Sequence, residues 1–308
     1  FFKVYKLVKK VKFDYIHHVT FVSIRIPSFL CLYNVPFIFG PLSGGDTVPT
    51  NLRKNFTLKE KIKEFLRDLN NFYIRFSPLV NLNFFKAHKI YVNSENTKSI
   101  IPKIYHHKVD ILLAVGYESN ENLKINKILN KPFQICFIGS HINIKGLEII
   151  YKIYQNLLIN NFDFSITMIG DGPQKQIFKD KIIKNKITDK IKFLDPINRI
   201  DLIKNLSDFD LLLNPSLRDS GSMITLEAMS IGLPAAVLNL GGPGIIVDNS
   251  CGIKIDPIKK SENEISVEFS SKIINLANNI DDYKDKSHKC LEQIKKFSWI
   301  NKLKYIYN

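Results

Sequence analysis

The chain has 308 residues, of which 45% are apolar and 24% charged. That balance excludes a disordered polyelectrolyte and leaves room for two domains of ordinary size, each with its own core. The formal charge of +15 is uneven: residues 1–110 hold 18 Lys or Arg against 7 Asp or Glu, a net of +11, which leaves +4 for the other 198 residues. A cationic third of this kind attracts anionic lipid, nucleic acid or phosphorylated ligands, although solvated lysines in a Lys-rich chain give the same count.

Four cysteines, Cys31, Cys136, Cys251 and Cys290, are far apart and form no C-x-x-C pair. Neither a zinc site nor a disulfide framework is indicated, and a reducing cytoplasm is the expected compartment. No apolar run reaches the roughly 18 residues of a spanning helix. The closest, Phe29 to Phe39, is broken by Asn34 and Pro36. The chain starts at Phe1 rather than Met, and Phe1 to Lys12 lacks the apolar core of a signal peptide, which suggests an N-terminal truncation.

In chain order, Phe13 to His18 reads as a short buried strand and Val35 to Phe39 as another, ending in the turn Gly40-Pro41-Leu42-Ser43-Gly44-Gly45. A helix follows, opened by a Thr57/Glu60 capping box and stopped at Ser77-Pro78. Leu58, Ile62, Phe65, Leu66, Leu69, Phe72, Tyr73 and Phe76 form one apolar face, and the opposite face is expected to carry Lys59, Lys61, Lys63, Arg67 and Arg75. Core packing is the expected use of that face, with membrane insertion the alternative. Ile90 to Ser94 is a third strand with a helix from Glu95, and the polar stretch from Ala114 to Pro132 is the expected interdomain linker.

From Phe133 the alternation is regular. Strands are expected at Phe133 to Gly139, Phe164 to Gly170, Lys190 to Leu194, Phe209 to Asn214 and Pro234 to Leu238. Helices are expected at Leu147 to Asn160, Gln174 to Asn185, Arg199 to Leu206 and Ser222 to Ile231. Successive β-α units predict a parallel sheet with helices on both faces, and ligands of such sheets bind at the C-terminal strand ends. The domain reading is therefore 1–113, a linker at 114–132, a second domain at 133–290 and a C-terminal helix at 291–308 that crosses back to the first domain.

Several loops at that edge can carry chemistry. Asp219 and Glu227 lie eight residues apart across a strand-to-helix junction, and the small residues between them can present backbone N–H groups to a phosphate. In Gly139-Ser140-His141-Ile142-Asn143-Ile144-Lys145-Gly146, Lys145 lies close to a helix start, where it can neutralise a diphosphate. Gly170-Asp171-Gly172-Pro173 reads as a structural turn that lacks the third glycine of a dinucleotide fingerprint. Asp208-Phe209-Asp210 mimics a metal-binding D-x-D pair but opens a strand, at the edge away from the ligand. Gly241-Gly242-Pro243-Gly244 reads as a loop at the ligand edge, either lining the cleft or serving loop geometry alone. In the first domain, His17 and His18 end a strand and admit either a structural or a polar functional role.

Taken in order, these segments resemble the retaining glycosyltransferases of the GT4 class, which have the GT-B fold. Asn214-Pro215-Ser216, then Asp219 to Glu227 with Ala228-Met229, Gly232, Pro234 and Gly241-Gly242, resembles that family's E-x7-E element, here as D-x7-E. Phe137 to Gly146 resembles its diphosphate loop, with Ser140 where the family has arginine, and Gly170 to Pro173 its G-D-G-P turn. His17-His18-Val19-Thr20 and Pro36 to Gly45 resemble acceptor-domain edges, with Gly44 and Gly45 as the acceptor-side loop, and Phe297-Ser298-Trp299 resembles the closing helix.

The resemblance implies an α/β GT-B architecture of two Rossmann-like domains with parallel sheets facing across a cleft. It implies metal-independent transfer of a hexose, with retention, from a nucleotide diphosphate sugar to a polysaccharide or lipid-linked saccharide, and no cofactor. Glu227 would bind the ribose, Asp219 the transferred sugar, and the amides of Gly221, Ser222, Met223 and Ile224 the sugar and phosphate. Lys145 would stabilise the departing diphosphate beside Ser140, His18 or His17 would face the sugar, and Asp195 and Pro196 would line the nucleotide cleft. The basic first domain would dock peripherally on the anionic inner leaflet of the cell membrane. A catalytically impaired nucleotide-sugar-binding or scaffold protein is the alternative. Nucleic-acid binding rests on charge alone and lacks recognition motifs.

Overall fold

A computed structural model describes residues 2–19, 22–118, 128–185 and 190–308. Thr20 and residues 119–127 of the expected linker lie outside the described residues. The chain divides into two compact units: Phe1–Thr47 with Thr57–Ala114, and Val48–Phe56 with Val115–Asn308.

The first unit runs α1 (Phe2–Lys10), β1 (Ile16–His18), β2 (Phe37–Leu42), α2 (Leu58–Ile74), α3 (Pro78–Lys86), β3 (Ala87–Val92), α4 (Glu95–Ile100) and β4 (Val109–Ile111). Its four strands are parallel in the order β1-β2-β3-β4. Phe37, Phe39, Ile90 and Val92 pack with Ile74, Val80, Phe84 and Ile100 into its core. The first expected strand shrinks to three half-buried residues, which among the described residues pair with β2 alone.

The apolar face of α2 is not in that core. Leu58, Ile62, Phe65, Leu66, Leu69, Phe72, Tyr73 and Phe76 are between 50% and 75% exposed. Glu64, Asn71 and Ile74 are the buried residues of the helix. The expectation of core packing fails here, since periodicity identifies an apolar face but not what meets it. The capping box is present as expected: Thr57 Oγ1 accepts from Glu60 N–H, and Glu60 Oε2 accepts from Thr57 N–H.

The second unit runs β5 (Phe133–Ile138), α5 (Leu147–Ile159), β6 (Phe164–Ile169), α6 (Lys175–Lys184), β7 (Ile191–Leu194), α7 (Arg199–Asn205), β8 (Leu211–Asn214), α8 (Met223–Ser230), β9 (Ala235–Leu238), α9 (Gly241–Ile246), β10 (Gly252–Ile255), α10 (Glu262–Asn278), α11 (Ile280–Ile294) and α12 (Trp299–Tyr307). Its six strands are parallel in the order β10-β9-β8-β5-β6-β7, so the strand order reverses between β5 and β8. β6, β8 and β9 are buried along their whole length, the pattern of strands covered on both faces.

Val48–Phe56 joins the second unit, although the sequence places it within residues 1–113. Val48, Leu52 and Phe56 recur every four residues and enter the same core as Ile149, Ile153, Ile265 and Phe269. Asn51 Nδ2 donates to the carbonyls of Pro257 and Lys260, and Asn55 Nδ2 to Glu262 Oε2. Among the described residues, no helix is long and apolar enough to cross a membrane.

Candidate active site

The loops that follow β5, β6, β8 and β9 converge because their glycines allow backbone to touch backbone. A Cβ on Gly170 would lie 2.1 Å from the Gly139 carbonyl oxygen, and one on Gly172 2.6 Å from that of His141. His141 N–H donates to the Asp171 carbonyl and Gln174 N–H to the His141 carbonyl, so Gly170-Asp171-Gly172-Pro173 buttresses the Gly139 to Gly146 loop. A Cβ on Gly146 would meet the Pro215 carbonyl oxygen at 2.2 Å. That contact seats the loop bearing Lys145 against the end of β8.

Lys145 and Asp219 come together there, Nζ to Oδ2 at 2.7 Å. The other carboxylate oxygen, Asp219 Oδ1, accepts from the N–H groups of Gly221 at 3.2 Å and Ser222 at 3.0 Å. The expected row of four amides is therefore divided. Gly221 and Ser222 serve the acid that precedes them, while the N–H groups of Met223 and Ile224, in the first turn of α8, meet no acceptor among the described residues.

Gly241-Gly242-Pro243-Gly244 is the first turn of α9 rather than a loop. Gly242 N–H donates to the Asp219 carbonyl at 2.7 Å, and a Cβ on Gly241 would lie 2.1 Å from that oxygen. The backbone of Asp219 is thus fixed from β9 and its carboxylate from the β5 loop.

Ser222 has φ +55° and ψ +61°, a left-handed conformation that suits glycine. Its hydroxyl turns inward, where it accepts from Asn214 Nδ2 at 2.9 Å and lies 2.7 Å from Thr225 Oγ1. Asn214, Ser216, Ser222 and Thr225 form one buried polar knot under α8.

Glu227 is buried on α8, and Arg199 Nε donates to its Oε1 at 2.5 Å. Arg199 was not among the sequence candidates. Its only signal was a basic residue opening the helix after the Asp195-Pro196 loop. Asp195 itself is 91% exposed and ion-paired with Lys175 at 2.7 Å, which holds its carboxyl below the usual range. Ser140 is exposed, and its neighbour His141 is fully buried between Phe137 and Phe193. Both ring nitrogens of His141 are buried and meet no hydrogen-bond partner among the described residues, and burial pushes its pKa down.

Asp210, the second acid of the D-x-D pair, is structural. Its carboxylate accepts from Gln134 N–H and from Asn130 Nδ2, while Tyr283 Oη donates to its backbone carbonyl.

In the first unit His17 Nε2 lies 2.7 Å from the Gly40 carbonyl, and burial lowers its pKa against that bond. His18 packs edge-on to Phe39. The Gly44-Gly45 loop is tied to α2: Arg25 Nη2 donates to the Gly44 carbonyl and to Asn71 Oδ1, and Asn71 Nδ2 donates to the Gly45 carbonyl. Gly45, Asp68, Asn71, Arg75, Asn96 and Ser99 line a cavity of about 290 Å³.

A family model described as glycosyl transferases group 1 matches residues 118–292. The chain belongs to this family. It is similar to protein CapJ of Staphylococcus aureus, 29% identical over 181 residues, 58% of this chain and 46% of that protein. It is also similar to the uncharacterized glycosyltransferase YqgM of Bacillus subtilis, 24% identical over 156 residues, 51% of this chain and 43% of that protein. The chain thus matches somewhat less than half the length of these relatives. Among solved structures it resembles Anabaena HepE in complex with UDP, with a TM-score of 0.63 and 15% identity, covering 98% of this chain and 80% of that one. That likeness shows the fold, which is GT-B. As a group 1 member, the chain holds Lys145, Arg199, Asp219 and Glu227 inside the matched span, whereas His17, His18, Gly44 and Gly45 lie outside it.

Proposed function

We propose that the second unit binds a nucleotide diphosphate sugar and that the protein transfers its hexose, with retention and without a metal, to a saccharide on a polysaccharide or lipid carrier. The Lys145–Asp219 contact carries the reading. It puts a cation and a sugar-directed carboxylate side by side at the topological switch point of a parallel sheet, above the open amides of Met223 and Ile224.

Charge building on the departing diphosphate is the main electrostatic problem of such a reaction. Lys145 and the first-turn amides of α8 supply fixed donors for it. Asp219 holds Lys145 in place and takes hydroxyls of the sugar; Glu227, braced by Arg199, takes the ribose. Asp195 and Pro196 border the nucleotide. In the first unit, His18 or His17 serves the transferred sugar, and the loop at Gly44 and Gly45 serves the acceptor. UDP in the HepE structure supports a nucleotide ligand but does not choose the base or the sugar.

A second reading, binding without turnover, is favoured by Ser140 standing where the family has arginine. Calorimetry across a panel of nucleotide sugars, followed by release of free nucleotide with saccharide and lipid-carrier acceptors, separates the two. Binding with release supports transfer, binding without release supports the second reading, and no binding overturns both.

A further inference from the structure

Helix α2 is built inside out. At 100° per residue, Glu60, Glu64, Arg67, Asn71 and Ile74 share the side turned toward the unit, while the eight exposed apolar residues from Leu58 to Phe76 occupy the opposite side. The inward polar side has structural work: Arg67 donates to the carbonyls of Gly44 and Asp46, Asn71 holds Gly45, and Arg75 at the helix end donates to the Ser99 carbonyl. The outward stripe is continuous and spans roughly 27 Å at 1.5 Å per residue. Soluble surfaces rarely leave a patch of that size uncovered.

Charge selects the occupant. Lys59 and Lys61 fall on either side of the stripe, and residues 1–110 carry a net charge of +11. A second copy meeting this face across a two-fold axis would bring the two basic margins together, a like-charge contact that costs affinity. An anionic lipid surface satisfies both features, taking the apolar stripe among its acyl chains and the lysines at its headgroups. With 17 residues and several charges, α2 is suited to lie in that surface rather than to cross it.

We infer that α2 is an interfacial docking helix that seats the first unit on anionic lipid, with Phe65, Leu66, Leu69, Phe72 and Tyr73 inserted and Lys59 and Lys61 at the phosphates. The cavity lined by Arg75, Asn71 and Gly45 borders the same helix, with Phe72 at its rim. Docking thus brings the candidate acceptor loop to the lipid headgroup layer. The inference rests on the first unit alone and needs no donor.

The test is sedimentation of the full chain with vesicles of phosphatidylcholine, with or without phosphatidylglycerol, in the absence of nucleotide sugar. Binding is expected only with phosphatidylglycerol and is expected to fall as salt rises. Phe65→Ser with Leu69→Ser, and separately Lys59→Glu with Lys61→Glu, are each expected to weaken it about tenfold or more. These side chains point outward, so melting temperatures should be unchanged. Emission of Phe72→Trp should be quenched by bromine-labelled acyl chains well beyond that of the native Trp299. Equal binding to both vesicle types, variants that sediment like the parent, no added quenching, or a dimer that the serine variant dissociates would each overturn the inference. Any of those results leaves nucleotide-sugar binding by the second unit untouched.

Discussion

Lys145 and Asp219, 74 residues apart in sequence, meet at 2.7 Å, and the same carboxylate accepts from the amides of Gly221 and Ser222. One side chain thus joins the loop after β5 to the loop after β8. The pair is partly exposed, so its contribution to folding is about 1 kcal/mol or less; its value lies in aiming a cation.

Lys145→Ala should therefore leave the melting temperature nearly unchanged while lowering turnover of a bound nucleotide sugar by about 10²–10³-fold, the usual loss for one fixed donor at a developing charge. Asp219→Asn keeps the acceptor for the Gly221 and Ser222 amides and removes the ion pair; Asp219→Ala removes both. The alanine variant should be the less stable of the two by about 1–2 kcal/mol in urea unfolding, and equal stabilities would show that the loop does not depend on its acid.

Ser222 offers a test in the reverse direction. Ser222→Ala keeps the left-handed strain and loses the bonds to Asn214 and Thr225, whereas Ser222→Gly loses the bonds but relieves about 1 kcal/mol of strain. Glycine should be the milder replacement in denaturant titrations, the opposite of the usual order for an exposed helix.

On the proposed role of Glu227 at the ribose, Glu227→Ala should weaken nucleotide binding about tenfold or more in calorimetry, since a carboxylate accepting from hydroxyls forms charge-assisted bonds. Arg199→Ala should cost less, about threefold, since it removes the brace and leaves the carboxylate. An Arg199 loss larger than the Glu227 loss would make the arginine the ligand-facing group.

His141 ties stability to pH. Burial lowers its folded pKa below the ordinary value of 6.5, so between the two pKa values the unfolded chain binds more protons than the native one. Its contribution is intact above 6.5 and erodes as pH falls from there toward the folded pKa. His141→Leu should flatten the acid limb of a melting-temperature profile and raise the value at pH 5.5, with little change at pH 7.5. Parallel profiles for the two proteins would show that the imidazole is solvated.

Much of the second unit was legible in the sequence. Strands β5, β6, β8 and β9 are short apolar runs ending in Gly, Asn or Pro, and the helices between them follow the 3.6-residue period. Strand β10 and helices α10 and α11 fall outside the expected elements, and so does α9, whose residues Gly241–Ile246 open on three glycines and a proline. Glycine content in α9 suggested a loop, whereas Gly244 N–H donates to the Leu240 carbonyl and Val247 N–H to the Pro243 carbonyl, closing helical turns.

By itself the sequence determined the alternation of strands and helices, the spacing of Asp219 and Glu227, and the apolar face of α2. Those are local properties, set by side-chain period and backbone preference. Only the tertiary structure decided that Lys145 reaches Asp219, that Arg199 reaches Glu227, and that α2 turns its polar side inward. Each of these depends on which surface a side chain meets, and that is fixed by the packing of segments distant in the chain. The period of a helix carries no such information.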